Sequence, residues 1–261
     1  MSVPSKFDHQ EWDNLTEQFG VTEGSLPTKA QWLPVSHLLT ASSCSEYVAS
    51  LTRELSYPSS IHTASMFAKR YAFLSVVPSL YSMSVYNKEW HTALEDTFLV
   101  PSKDGKGHWL AGLHVTKSQV SSLPEDQRER NRDQVLKRLF ADQISVLWRT
   151  LAEASQTPIS ILWENAAVRL YSLYEHKIHA ALDCEGRKRA ADDFQYIVTH
   201  APAELFGESY NPFARFYRFT GEGDHSSKYR TRTTCCFYFQ VSAVNEYCQA
   251  CPKLKRQRRG T

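Results

Sequence analysis

The chain has 261 residues, of which 42% are hydrophobic and 12% aromatic, so it can bury a core as one large domain or two small ones. Its net charge of only +2 excludes a polyelectrolyte binder, and no stretch approaches the roughly 18 apolar residues of a membrane-spanning helix. The opening residues lack a basic stretch followed by an apolar run, so we expect no secretory signal and a reducing, cytoplasmic location.

The first half of the chain predicts helices followed by a hairpin. Residues 1–45 have the texture of short helices joined by loops, because prolines interrupt them. A helical period then runs through residues 61–77, and Pro78 is expected to end or kink that helix. Two strand-like segments, 96–102 and 108–115, flank a glycine-containing turn, so we predict a β-hairpin there.

The second half predicts three further helices and a β-rich end. The first of these helices follows Pro124 and carries apolar residues at every third or fourth position. Two more helices are predicted within residues 159–182 and 186–202. Beyond them, alternating aromatic and basic residues predict strands in 213–219 and 228–241.

Four of the six cysteines lie close together near the end of the chain. They are Cys235, Cys236, Cys248 and Cys251, an adjacent pair followed by a C-x-x-C hook. A reducing compartment disfavours disulfides and favours a metal or redox centre. Successive side chains on an extended strand point apart, which disfavours one small tetrahedral zinc ion, whereas a two-iron cluster accepts thiolates over a wider range of directions. The chemistry therefore favours an iron–sulfur centre and leaves zinc, redox thiols and coincidence open.

Three stretches resemble the FhuF-like ferric-siderophore reductase family. The segment "RTTCCFYFQ…YCQACPKL" resembles the family's C-terminal signature of C-C, a short insert and C-x-x-C-P, with an insert about one residue longer that a loop absorbs. Residues 159–175 are similar to the family's Leu-Trp-x-Asn-x-Ala helix opening, in which we expect Trp163 and Asn165 to be structural. Residues 68–88 resemble its upstream helical stretch, and the family is related to the C-terminal part of citrate-amide siderophore synthetases.

The resemblance implies a one-electron reductase that releases iron from ferric siderophores by reducing Fe³⁺ to Fe²⁺. It implies a [2Fe–2S] cluster held by the four cysteines, with no catalytic residue beyond the cluster. Hard oxygen donors hold Fe³⁺ far better than Fe²⁺, so reduction releases the metal. The implied partners are an anionic ferric siderophore, citrate- or hydroxamate-based, and an electron donor such as a ferredoxin or a reductase. We expect no nucleic acid partner and no membrane span.

Basic residues are concentrated just before the first cysteine. They are Arg215, Arg218, Lys228, Arg230 and Arg232. Because alternate residues of a strand share a face, we expect the last three on one face of the predicted strand. That face is expected to bind the anionic ferric chelate and guide it toward the cluster, and a solvated strand face is the alternative.

The expected fold is α+β, mostly helical, with a small β-sheet or hairpin and a C-terminal [2Fe–2S] segment. The expected domains are a helix-rich siderophore-reductase domain over 1–233, an iron–sulfur segment over 234–254 packed on it, and a basic tail over 255–261. Cys44 and Cys184 are expected to be core or helix cysteines. Two other functions stay open: a zinc-stapled binding protein whose basic end contacts nucleic acid, and a non-catalytic relative that only binds ferric chelates.

Overall fold

The computed structural model describes residues 3–28, 32–102, 109–178, 182–217, 230–242 and 244–254. Over these residues the α-helices are α1 (His9–Phe19), α2 (Ala41–Glu54), α3 (Ser60–Val85), α4 (Arg128–Leu139), α5 (Val146–Ser155), α6 (Ile159–Ser172), α7 (Cys184–Gln195), α8 (Pro212–Phe216) and α9 (Tyr238–Val241). The strands are β1 (Val3–Ser5), β2 (Val21–Glu23), β3 (Leu33–Pro34), β4 (Lys88–Thr92), β5 (Thr97–Pro101), β6 (Leu110–Val115) and β7 (Ser118–Ser122). The fold class is thus α+β and mostly helical, as the sequence predicts.

Helix α3 lies at the centre of the fold and packs most extensively against α6. It does not end at Pro78 but continues to Val85, so of the two expectations the end is wrong, and a kink at Pro78 stays a prediction. A helix-interior proline costs about 3 kcal/mol. Here the residues on both sides of Pro78 are buried, and this packing offsets the lost hydrogen bond. None of the described helices is both long and apolar enough to cross a membrane.

The helices predicted in the second half of the chain are confirmed, and π-helical turns extend them. Helix α4 runs through the turn Phe140–Ser145 directly into α5. Helices α6 and α7 continue as the turns Leu173–Lys177 and Tyr196–His200. These turns are wider than an α-helical turn and are common at functional sites.

Two small sheets cover the helices, in the strand orders β1-β7-β4 and β2-β6-β5-β3. The predicted hairpin is confirmed, because β5 and β6 pair antiparallel with Leu99 opposite Leu113. The turn that joins these strands lies at residues 103–108, outside the described residues.

Residues 1–45 hold more strand than their sequence predicts. Besides α1 and a 3-10 turn at Val35–Leu39, they contain β1, β2 and β3. Strand β2 pairs in parallel with the distant β6, and α1 ends at Gly20 with a left-handed φ of 70°. A Cβ atom on Gly112 of β6 would lie 2.1 Å from the carbonyl oxygen of Gly20, so the two backbones touch there. These strands depend on pairing with distant residues, which a local sequence pattern does not show.

The predicted strands at the end of the chain are also wrong where the structure describes them. Residues 212–216 form helix α8, because Pro212 occupies its first turn and the Asn211 side chain accepts hydrogen bonds from its first N–H groups. Residues 230–237 form neither strand nor helix, and the short helix α9 follows them. In this segment the N–H groups of Thr233 and Thr234 donate to the Glu164 side chain of α6 rather than to a neighbouring strand.

One buried ion network joins α3, α4 and α7. The Asp193 carboxylate is fully buried. It accepts hydrogen bonds from Nη1 and Nη2 of Arg128, both at 2.7 Å, and from the Ser84 hydroxyl at 2.8 Å. A second guanidinium, that of Arg132, lies 3.6 Å from the same carboxylate. Because the buried carboxylate is paired with two guanidinium groups, the network holds three helices in register.

Removing this carboxylate should therefore destabilise the protein strongly. We expect Asp193→Ala to lower the free energy of unfolding by about 3–5 kcal/mol, because it leaves two buried guanidinium groups without their anion. Urea denaturation of the full chain measures this. The matched control is Asp192→Ala on the exposed face of the same helix, which should change stability by less than about 0.5 kcal/mol. Equal stabilities of the two variants would contradict the account.

Candidate metal centre

Helix α6 binds the cysteine segment, which we define as residues 230–242 and 244–254, through a buried carboxylate. Glu164 is 2% exposed and accepts the backbone N–H groups of Thr233 and Thr234 at 2.5 and 2.8 Å. It also accepts hydrogen bonds from the hydroxyl groups of both threonines. A carboxylate satisfied in this way fixes the backbone immediately before Cys235.

The next residue of α6 adds a second buried attachment. The Asn165 amide nitrogen donates to the carbonyl and hydroxyl oxygens of Ser65 on α3, at 2.9 and 3.1 Å. The Ser65 hydroxyl in turn donates to the Cys236 carbonyl at 2.9 Å. The Asn165 amide oxygen accepts from Arg232 at 2.8 Å. One amide therefore connects two helices to the cysteine segment.

Arg232 joins the two halves of that segment. Its backbone N–H donates to the Ala250 carbonyl at 2.9 Å, and its Nε donates to the Thr234 carbonyl at 3.2 Å. Its Nη2 lies 3.5 Å from Glu164 without a hydrogen bond to it. The side chain is therefore buried beneath the segment, not on a solvent-facing strand as the sequence predicts.

The structure brings two of the four predicted ligands together. The sulfur atoms of Cys236 and Cys248 lie 3.4 Å apart. The Cys251 N–H donates to the Cys248 carbonyl at 2.9 Å, so the C-x-x-C hook forms one tight turn. Phe237, with a left-handed φ of 62°, turns the chain directly after Cys236, and its N–H donates to the Cys235 sulfur at 3.4 Å.

The cysteine pair fits a metal, but the described residues show no complete site. Two thiolates bound to one tetrahedral metal at about 2.3 Å would be about 3.8 Å apart, close to the Cys236–Cys248 separation. Among the described residues, no group of three or more His, Cys, Asp or Glu side chains could hold a metal ion. The Cys236–Cys248 separation is compatible with two thiolates on one metal, and ligation by all four cysteines stays a prediction.

The surroundings of this pair favour a thiolate. The hydrogen bond with Cys248 outweighs burial and, with the positive charges of Arg232 and Lys69, lowers the pKa of the Cys236 thiol. The shared proton has the opposite effect on Cys248, whose pKa is raised. Because metals bind thiolates, this charge environment is suited to a metal centre.

The other two cysteines behave as predicted. Cys44 on α2 is fully buried in the core, where desolvation raises the pKa of its thiol to about 11. Cys184 is exposed at the start of α7. Neither is part of the cysteine segment.

A cleft of about 290 Å³ opens beside Cys248, between α6 and the cysteine segment. It is lined by Lys69, Val168, Arg169, Tyr171, Ser172, Glu175, His176, Arg230, Arg232, Tyr238, Glu246, Tyr247, Cys248, Gln249 and Ala250. Burial, with the neighbouring charges of Arg70 and Arg232, lowers the pKa of Arg169 to about 10. Burial is also the main reason that the pKa of Lys69 is lowered.

Of the five basic residues predicted to bind substrate, two line the cleft, one does not, and two lie outside the described residues. Arg230 and Arg232 line the cleft, and Arg230 pairs with Glu175 at 2.6 Å. Arg215 is not among the lining residues, and it donates to the Tyr210 hydroxyl at 2.8 Å. Arg218 and Lys228 lie outside the described residues, as does the basic tail.

A protein-family model described as "Ferric iron reductase FhuF-like transporter" matches residues 65–217, more than half of the chain. The chain belongs to the FhuF-like family. A search of curated proteins finds no match. The FhuF-like region contains Ser65, Glu164 and Asn165, so it supplies the side chains that bind the cysteine segment. The segment itself lies beyond the matched residues.

Sequence reasoning missed Glu164, Lys69 and Arg169 in this FhuF-like chain. Glu164 stands between Trp163 and Asn165, two residues that the sequence marks as structural. An acidic residue within such an apolar helical stretch is a signal, because a buried carboxylate requires donors from elsewhere. The two basic residues have no signal in the sequence, since only the packing of α3 against α6 places them beside Cys248.

Loss of the Glu164 acceptor should loosen the cysteine segment. In Glu164→Gln an amide NH₂ replaces one acceptor and faces the donors of Thr233 and Thr234. We expect thiol alkylation of Cys236 in metal-free protein to become roughly tenfold faster, because a charge-assisted hydrogen bond contributes about 1.5–3 kcal/mol. Alkylation at each cysteine is measured by mass spectrometry.

Two controls accompany this measurement. Glu153→Gln removes an exposed carboxylate from α5 and should leave Cys236 labelling unchanged. Labelling of the core cysteine Cys44 reports global unfolding and should stay slow in both variants. Equal Cys236 labelling in wild type and Glu164→Gln would show that Glu164 does not hold the segment.

Proposed function

We propose that this FhuF-like chain is a one-electron reductase that releases iron from ferric siderophores through a [2Fe–2S] cluster. Cys235, Cys236, Cys248 and Cys251 would hold the cluster. One observation carries the proposal: the Cys236 and Cys248 sulfurs lie 3.4 Å apart, at the edge of a cleft formed with the family's own helices.

A [2Fe–2S] cluster supplies a carrier for one electron, with a potential that depends on local charge, sulfur hydrogen bonds and exposure. The chain contributes to each of these factors. Lys69 and Arg232 place positive charge beside Cys236 and Cys248, which favours thiolates and an additional electron. Burial of Cys236 and Cys251 limits access of water to this side of the site.

The cleft brings the substrate to the ligands. Cys248 is one of its lining residues, so a ferric chelate seated there lies next to a thiolate ligand. Reduction weakens the hold of hard oxygen donors on the iron, because Fe²⁺ is softer than Fe³⁺. The chelator therefore leaves intact, and no side chain has to form a bond with it.

The proposal also includes an electron donor and a cellular location. A ferredoxin or a reductase is the class of donor that supplies single electrons to such a centre. A basic tail of the kind predicted for residues 255–261 is suited to an acidic donor of this class. A cytoplasmic location stays a prediction.

An anaerobic Fe²⁺-release assay tests the function. The chain is reconstituted with iron and sulfide, reduced chemically, freed of reductant and mixed with a panel of ferric siderophores. We expect a brown protein that bleaches on reduction and releases Fe²⁺. Cys236→Ser and Cys248→Ser should lose both the colour and the release, because each removes a ligand of the paired site.

The matched control is Cys184→Ser, which removes an exposed cysteine outside the segment and should behave as wild type. A colourless wild-type protein that holds one zinc ion would contradict the proposal and support a zinc-stapled protein. Full Fe²⁺ release by Cys236→Ser would also contradict it.

A further inference from the structure

The cleft beside Cys248 carries two positive charges, on Lys69 and Arg169, that no described carboxylate neutralises. Lys69 and Arg169 both line it, and neither forms an ion pair with a described carboxylate. The Lys69 ammonium lies over the Tyr238 ring, 4.3 Å from its centroid. The Arg169 Nε donates to the Lys69 carbonyl at 3.3 Å. Among the described residues, no carboxylate pairs with these two cations, and the anionic groups that act on them are thiolates of the cysteine pair.

A third cation is incompletely satisfied at the same place. Arg232 also lines the cleft and is 5% exposed, and its buried Nη2 lies 3.5 Å from Glu164 without a hydrogen bond to it. A buried guanidinium nitrogen without an acceptor costs free energy, and negative charge in the cleft would stabilise this cation. The carboxylates on the cleft wall are Glu175, which pairs with Arg230, and the exposed Glu246 at its rim.

We propose that this cleft recognises an anionic, carboxylate-bearing ferric chelate, with Lys69 and Arg169 as its recognition residues. The inference rests on the proposed function, because the ferric chelate is the substrate of that reaction. Guanidinium groups bind carboxylates through paired hydrogen bonds, and a lysine contributes a compact charge. Tyr238 and Tyr247 supply flat walls beside these cations.

The size of the cleft agrees with this assignment. Its volume of about 290 Å³ lies just below the roughly 300–1,000 Å³ of small-molecule sites. Part of a chelate therefore fits inside while the remainder extends into solvent. Because the chelate is held by charge at its periphery, its metal can face Cys248.

Binding of redox-inert gallium(III) chelates tests the inference independently of reduction. The two probes are the anionic gallium(III) citrate complex and a neutral gallium(III) trihydroxamate, each titrated calorimetrically into the reconstituted full chain. We expect the citrate complex to bind at least about tenfold more tightly, since each charge-assisted hydrogen bond contributes about 1.4 kcal/mol or more. Added salt should weaken citrate binding only.

The variants are Lys69→Met and Arg169→Gln, and each should weaken gallium citrate binding about tenfold while leaving the neutral probe unchanged. Arg169→Lys keeps the charge and should restore part of the affinity. The matched controls are Lys137→Met and Arg130→Gln, which remove exposed charges from α4. Circular dichroism confirms that each variant is folded. The salt dependence of gallium citrate binding is measured on the wild-type protein, so it tests the inference even if a variant does not fold.

Equal affinity for the two probes, or citrate binding that neither variant changes, would overturn the inference. The outcome is separate from that of the proposed function. If the protein releases Fe²⁺ from ferric trihydroxamates but does not bind gallium citrate more tightly than the neutral probe, only the recognition site is refuted. Charge-dependent gallium citrate binding by a chain that releases no Fe²⁺ would refute only the reductase.

Discussion

The Glu164 carboxylate is buried and satisfied almost entirely by donors from Thr233 and Thr234, which lie about 70 residues further along the chain. A buried carboxylate is costly unless it is hydrogen-bonded, so the helix and the cysteine segment stabilise each other. If the segment leaves, Glu164 loses its donors and Arg232 loses the environment that buries it. The cysteine segment is therefore attached to the folded helices through buried contacts.

Two parts of the chain contribute different groups to the site. The family-matched region provides Glu164, Asn165 and Ser65 as a rigid support, and the segment provides the thiols. Helices give such a support more precision than loops do. The packing of α3 against α6 also places Lys69 and Arg169 near Cys248. The same helix pair therefore positions the side chains that bind the cysteine segment and the basic residues of the cleft.

Much of the helical fold could be predicted from periodicity, and so could the hairpin of β5 and β6. The strands β1, β2 and β3 could not, because their pairing partners are far away in sequence. At the site, the cysteine pattern predicted four ligands, Cys235, Cys236, Cys248 and Cys251, and the structure brings the sulfurs of Cys236 and Cys248 together. Arg232 was expected on an exposed strand because basic and aromatic residues alternate around it. Only the tertiary structure reveals that buried acceptors on α6 bind its side chain.

The most direct measurement is a single-turnover reaction in which the reduced, donor-free protein is mixed anaerobically with a ferric chelate and a dye that traps Fe²⁺. The electron paramagnetic resonance signal of the reduced cluster is followed together with the absorbance of the dye. The account predicts that the signal decays as fast as Fe²⁺ appears, with one Fe²⁺ formed per cluster. A signal that persists while Fe²⁺ accumulates, or a protein that shows no such signal, would contradict it.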